Sequence, residues 1–491
     1  MRTTSLLPLT ALLVSSLASG DTLMQIYQKA LRSDPLVREA DANKLATQQG
    51  KPIARGALLP QVSGTAAWGD SNANGSTFNQ IGDVIAASPI DSRNYYARNW
   101  NVQLRQSVFR WDQWVGLSQA GKQSAQADVD YEAAQQDLVI RVAEAYFNVL
   151  AAEDTLASEQ AAKDAIGRQL EQAQKRFEVG LIAITDVQEA QAAYDQALAA
   201  EILAKRNVAN RQELVRAIID EPAPPLAKPG PELPLLSPDP ADENRWVDLA
   251  MQQNRSLISS QIGTEIAKDN VSLARTLRYP TVDLVASRNN TNNDGFARTP
   301  CRPTLADPTI CLLNGNPIPS DSVLRSNTGT DLASDAVSLQ FAMPFFTGGS
   351  TSARVQQAVY QHRASRERLE RTARETERQT RDAYLGVISE ISRVQALKQA
   401  LESSKTALKA TEAGYDVGTR TTVDVLAARR TVFVAETNYL RSRYDYLING
   451  LRLKQAAGTL TADDIAQIDG LLTANSTAKE LPTGNPGATN P

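Results

Sequence analysis

Residues 179–187 read Val-Gly-Leu-Ile-Ala-Ile-Thr-Asp-Val, "VGLIAITDV", and 238 residues later residues 417–425 read "VGTRTTVDV". A short turn written twice at so wide a spacing points to an internal duplication. Gly180 and Gly418 stand where a helix must stop and the chain reverse, because glycine enters the left-handed region without a steric penalty. The flanking sequence is built for helix: residues 111–221 and 351–458 contain no proline and are rich in Ala, Gln, Glu, Arg and Leu. Each stretch reads as a hairpin of two long helices, 111–220 and 350–458, bent at its glycine. The first arm, from Asp112 to Phe177, would be on the order of 100 Å long. Such lengths point to coiled coils rather than to a globular core.

The copies match beyond the turn. "AYFNVL" at 145–150 answers "AYLGVI" at 383–388, again 238 residues on, and "ARGALLPQV" at 54–62 answers "ARTLRYPTV" at 274–282 at a spacing of 220. After each shared proline, Pro60 and Pro280, the period changes from helical to two. Val62, Gly64, Ala66 and Trp68 alternate with Gln61, Ser63, Thr65 and Ala67, and Trp100, Val102, Leu104 and Val108 alternate with Asn99, Asn101, Gln103 and Ser107. In the second copy Val282, Leu284 and Ala286 do the same, as do Val337, Leu339, Phe341 and Met343. These predict four strands, about 58–70, 98–110, 278–289 and 334–347, with polar loops at 70–98 and 289–334 between them. One apolar and one polar face at about ten residues is the pattern of an outer-membrane barrel strand. A half-exposed sheet in a soluble domain shares that pattern. If the strands lie in hydrocarbon, four cannot close around water, and an open edge is not tolerated there. Several chains must then pool strands, and three chains would supply an even total of twelve.

The rest of the chain frames these repeats. Residues 1–20, "MRTTSLLPLTALLVSSLASG", carry Arg2, an apolar run and small residues before Asp21, the form of a cleaved secretory signal. No stretch is long and apolar enough for a membrane-spanning helix. The first repeat spans 21–220, a Pro-rich strap joins the halves at 221–241, the second repeat spans 242–458, and a C-terminal segment, 459–491, ends in a polar tail expected to be partly disordered. The formal charge is −4 at pH 7, which does not favour nucleic acid. Cys301 and Cys311 sit in a polar loop and, in an exported chain, are expected to form a local disulfide. A single histidine, His362, and no metal-ligand spacing leave no basis for a metal or a cofactor. No catalytic constellation stands out, and an exported enzyme is the weakest reading.

The chain resembles the TolC family of outer-membrane channels from about Asp21 to Leu471. The carriers are "TLMQIYQKALRSDP" at 22–35, "RFEVGLIAITDVQEAQAAYD" at 176–195, "AGYDVGTRTTVDVL" at 413–426 and "YLINGLRLKQAAGTL" at 446–460. The lipidated drug-efflux members carry an N-terminal Cys that has no counterpart here. The resemblance implies an α+β membrane protein: coiled-coil hairpins forming a periplasmic tunnel, with a transmembrane β-barrel completed by three chains of four strands each. It implies a passive duct for drugs, toxic small molecules or proteins, no enzymatic activity, and two partners, a periplasmic adaptor and an inner-membrane pump. The competing class is an exported soluble coiled-coil adaptor or structural protein; an adaptor predicts one hairpin rather than two duplicated ones.

The resemblance also assigns roles at the tips. Tyr415 and Arg420 of one hairpin would bond Asp186 and Thr185 of its neighbour as a gate latch. Asp424 would form an acidic pore constriction, while Ala427 stands where the family places a second acidic ring. Gly180, Leu181, Gly418 and Thr419 would be the tips that receive the adaptor. Plainer readings stand beside these. An Asp in a helix's first turn stabilises that end, Arg420 also reads as a solvated charge, and the tip residues also read as turn chemistry.

Overall fold

The computed structural model describes residues 20–81, 84–230, 233–300, 307, 309–313, 316–319, 322–327 and 329–473. It divides into two compact units: residues 49–122 with 266–362, and the remainder.

The first of these is built on a sheet. Helix α3 (Gly50–Gly56) ends shortly before Pro60, and β1 (Gln61–Ile81) begins at the next residue. Helix α7 (Arg255–Thr276) likewise ends before Pro280, and β3 (Thr281–Pro300) follows it directly. Proline is tolerated there because the ladder has not yet begun. With β2 (Val84–Phe109) and β7 (Thr330–Ala342), the long strands pair antiparallel in the order β1-β2-β3-β7. Val62, Gly64 and Ala66 lie opposite Leu104, Val102 and Trp100, and Val282, Leu284 and Ala286 lie opposite Phe341, Leu339 and Val337. Opposed residues share a face, and Leu104 lies opposite Ala286, so these apolar side chains of the four strands form one surface, while Val285 and Leu332 fall on the other face. Val337, Leu339 and Phe341 are between 64% and 76% exposed on it. The other face carries Gln61, Ser63, Gln103, Ser287 and Gln340, an ion pair of 2.5 Å between Arg105 and Asp283, and a hydrogen bond between Asn101 and Asn289.

Three expectations change. The segments read as loops at 70–98 and 289–334 are largely strand: β1 and β2 run on as a ribbon to Ile81 and Val84, and β3 reaches Pro300, where β6 (Val323–Asn327) pairs with it. Two more short strands, β4 (Ile310–Leu313) and β5 (Asn316–Pro319), pair with each other. The sequence there is polar at consecutive positions and offers no alternation to read, yet the backbone ladder needs none. Second, a register shift between Ser107 and Phe109 sets Phe109, not Val108, opposite Val282. One extra residue in a bulge reverses the parity that follows. Third, β7 stops at Ala342, just before Pro344, rather than at 347. Cys301 and the residues outside the described set, 1–19 and 474–491 among them, leave the disulfide, signal and tail expectations untouched.

The second unit is helical. Two hairpins of long helix make it up: residues 123–178 of α4 (Trp111–Glu178) with α5 (Ile184–Ile219), and residues 363–416 of α8 (Ser350–Asp416) with α9 (Thr422–Ala457). Short helices open each copy, α1 (Leu23–Ser33) and α2 (Pro35–Gln48) in the first, α6 (Glu243–Gln253) before α7 in the second. The duplication is visible at their caps. Thr22 and Asp242, 220 residues apart, both cap a helix start, and Asp34 and Asn254 both end one helix and accept from an amide of the next at 3.0 Å. A final helix, α10 (Ala462–Thr473), completes the core with Leu23, Ile26, Tyr146, Phe147, Leu150, Tyr444, Leu451, Ile465 and Leu472. Phe147 meets Tyr146 edge-on at 5.4 Å and stacks on Tyr444 at 5.7 Å. The Pro-rich strap lies extended and is stapled to the helices: Tyr146 donates to the Ala227 carbonyl at 2.7 Å, Lys228 to Asp154 at 2.8 Å and Tyr446 to the Leu236 carbonyl at 2.9 Å.

Candidate functional site: the paired hairpin tips

Both turns close in the same way. The Gly180 amide donates to the Phe177 carbonyl at 2.8 Å and Leu181 to Arg176 at 2.9 Å; Gly418 donates to Tyr415 at 3.0 Å and Thr419 to Gly414 at 2.8 Å. This is the Schellman end of a helix, which needs a left-handed residue, and Gly180 and Gly418 hold φ of +75° and +81°. Val179, Leu181 and Val417 are at least 70% exposed beside them, and Gly180, Gly418 and Thr419 are exposed as well. Val187 and Ala190 pack beneath the first tip on Leu170 and Ala173.

The returning helices start differently. α9 opens with a capping box: the Asp424 amide donates to Thr421 Oγ1 at 3.2 Å, and Asp424 Oδ2 accepts from the Thr421 amide at 2.9 Å and hydroxyl at 3.0 Å. The Thr421 amide and hydroxyl, with the Arg420 charge, hold the Asp424 carboxyl below the usual carboxylate range. α5 has Ala183 at the equivalent place, with no side chain able to cap. Asp186 therefore stands in the first turn with its carboxylate in no hydrogen bond among the described residues.

Around the second tip the polar side chains are already directed. Tyr415 is half-buried, and its hydroxyl accepts from Arg176 Nη1 at 3.0 Å, with the guanidinium 5.1 Å from the ring centroid. The stem of Arg420 folds across Gly414, where a Cβ would stand 2.8 Å from Arg420 Cγ. One turn deeper, Arg429 bonds Glu412 at 2.8 Å and the Ala165 carbonyl at 3.2 Å, tying α9 to α8 and α4. Among the described residues no hydrogen bond joins Tyr415 or Arg420 to Thr185 or Asp186. Sequence reasoning passed over Arg176, Gly414, Glu412 and Arg429. The spacing of 238 held a signal for two of them, since it sets Arg176 opposite Gly414 and Phe177 opposite Tyr415.

The family described as outer membrane efflux protein matches residues 26–220 and 246–459, one span in each repeat. The chain belongs to this family. Among efflux-protein relatives, it is 34% identical to the outer membrane protein TolC of Vibrio cholerae, over 93% of this chain and 95% of that one. It is 35% identical to the TolC of Escherichia coli, over 93% and 86%. It is 26% identical to the alkaline protease secretion protein AprF of Pseudomonas aeruginosa, over 94% and 88%. In fold it resembles the CmeC outer membrane channel of Campylobacter jejuni, with a TM-score of 0.69 at 16% identity over 92% of this chain and 90% of that one. The efflux family places this chain in the outer membrane as a channel, and it is not an enzyme. Its fold is a helical tunnel with a β-barrel.

Proposed function

We propose that the chain is one protomer of an outer-membrane duct for efflux and type I secretion, a passive channel gated at its paired tips. The observation that carries this reading is the sheet: one apolar face, one polar face, and outer strands β1 and β7 that are each paired on one side alone among the described residues. In hydrocarbon those edges must be paired, and a neighbouring copy supplies the complementary edge. Family membership implies trimeric assembly and work with an adaptor and an inner-membrane pump. Drugs, toxic small molecules and proteins form the range of cargo, and the pump supplies the energy. In the mature assembly the signal of residues 1–20 is removed and three chains contribute four long strands each.

At the tips, Tyr415 and Arg420 latch to Asp186 and Thr185 of the adjacent hairpin. The unused Asp186 carboxylate supports this, because an ionised acceptor in a helix's first turn gains from a charged or hydroxyl donor. Each bond is worth about 1–3 kcal/mol, little enough for a partner that binds the open state more tightly to release it. Gly180, Leu181, Gly418 and Thr419 are the docking points for the adaptor. Asp424 lines the constriction, and with Ala427 in place of a second carboxylate the constriction binds cations weakly. Single-channel recordings of wild type and Ala427→Asp check that last point: the variant is expected to be blocked more strongly by a multivalent cation, and equal block removes it.

The deciding experiment is conductance in a planar bilayer, comparing wild type with Tyr415→Phe/Arg420→Ser. A small wild-type conductance that rises several-fold supports duct and latch together. Equal conductance keeps the duct and removes the latch. No conductance from folded protein favours a soluble coiled-coil role.

A further inference from the structure

The latch donor Tyr415 is not a free hydroxyl. It already accepts a hydrogen bond from Arg176 at 3.0 Å, and the guanidinium lies 5.1 Å from the centre of its ring. A guanidinium donates and cannot accept. With its oxygen engaged by Arg176, the phenol keeps its own proton for another partner, and among the described residues no acceptor in the chain takes it. Resting on the latch reading above, we infer that Arg176 is the positioning residue of the gate: it fixes the ring and the polarity of the Tyr415 hydroxyl so that its proton is presented to a carboxylate, Asp186 of the adjacent hairpin.

The two tips make this division of labour legible. The first hairpin carries Arg176 and Phe177, the second Gly414 and Tyr415 at the equivalent places. A hydroxyl exists at one site alone, and the arginine that orients it comes from the other repeat. Gly414 leaves the space across which Arg420 folds, so the second tip has no room for an arginine of its own at that place. Asp424 is spent on the Thr421 capping box, which leaves Asp186 as the first-turn carboxylate open to Tyr415. The positive charge of Arg176 beside the phenol also favours an approaching carboxylate, and bonds joined in series strengthen one another.

The test is planar-bilayer conductance of the purified protein for wild type, Arg176→Met, Arg176→Lys, Tyr415→Phe, the double Arg176→Met/Tyr415→Phe, and Tyr415→Phe/Arg420→Ser. Arg176→Met is expected to raise conductance several-fold, by about as much as Tyr415→Phe. Arg176→Lys, which keeps a charged donor, is expected to stay near wild type. The double variant is expected to conduct no more than Tyr415→Phe, because both changes act through one hydroxyl. Arg176→Gln, which loses the charge and reach, serves in the same way if the Met variant does not insert. A wild-type or lowered conductance in the neutral Arg176 variants, while Tyr415→Phe/Arg420→Ser conducts more, overturns the role of Arg176 and leaves the latch standing. A double variant whose rise is the product of the single ones, or a Lys variant as open as Met, also overturns it. Wild-type conductance in Tyr415→Phe/Arg420→Ser removes the latch itself.

Discussion

At the scale of single residues, the two aspartates that occupy equivalent positions, Asp186 and Asp424, have different surroundings. Asp424 has a threonine three residues before it and closes a capping box; Asp186 has an alanine there and keeps its carboxylate free. The cap affects the charge of the proposed constriction. Because the folded-state carboxyl is depressed by the Thr421 amide and hydroxyl, the ring stays ionised as the pH falls through the ordinary range near about 4, and its charge is lost only at lower pH. Thr421→Val removes the hydroxyl donor. Cation preference, measured as reversal potential across a bilayer at decreasing pH, should then disappear at a higher pH in Thr421→Val than in wild type. An unchanged profile would show that another group sets the preference. The aspartates were legible in the sequence as first-turn residues, but their separate fates depended on which partners were in reach.

Among elements, the glycines that end helices separate conformational from packing effects. Gly418 and Gly458 hold nearly equal left-handed φ, +81° and +76°. A Cβ at Gly418 meets nothing within 4 Å, whereas at Gly458 it would stand 2.2 Å from the Gln253 carbonyl oxygen. Gly418→Ala should therefore cost about 1–2 kcal/mol for the left-handed backbone alone, and Gly458→Ala distinctly more, since backbone cannot step aside. Thermal melting in detergent checks the order; equal shifts would contradict it. The Asp34–Arg141 pair supports a pH prediction. Burial alone would raise the Asp34 carboxyl, but its bonds to Arg141, at 2.8 and 3.1 Å, and to the Val37 amide hold it below its usual range. A depressed carboxylate stabilises the fold above its unfolded value, about 3.9, and that contribution is lost as pH falls through the folded value. Arg141→Met should cost about 2–3 kcal/mol at pH 7 and lose most of its effect in strong acid, as seen by melting across that window. The glycine ends of these helices are written in near neighbours, whereas the Asp34–Arg141 pair joins residues 107 apart. The strand extensions were not legible in this way, because a run of consecutive polar residues carries no period.

For the whole molecule, the sheet's apolar face is the feature that demands an environment the chain alone does not provide. Leu339 lies 66% exposed on that face in β7, between Val337 and Phe341. If it faces lipid, Leu339→Arg should cost about 2–4 kcal/mol near the bilayer midplane, and bilayer insertion followed by partition of folded protein would show the loss. Gln340→Arg, one residue on and on the polar face, should insert nearly as wild type. Equal tolerance at the two positions would place the sheet in water and undo the barrel.

The long proline-free helices, the glycine turns and the alternating strands were legible in the sequence because each is a pattern among residues a few positions apart, and the duplication because short segments recur at a spacing of 238. How the polar groups at the tips are spent depended on packing between distant segments. Tyr415 finds Arg176 across 239 residues, Arg429 ties α9 to α8 and α4, and a bulge moves Phe109 rather than Val108 into register with Val282. Contacts between distant segments are set by how packed elements bring them together, and a single donor finds its acceptor only after that packing is in place.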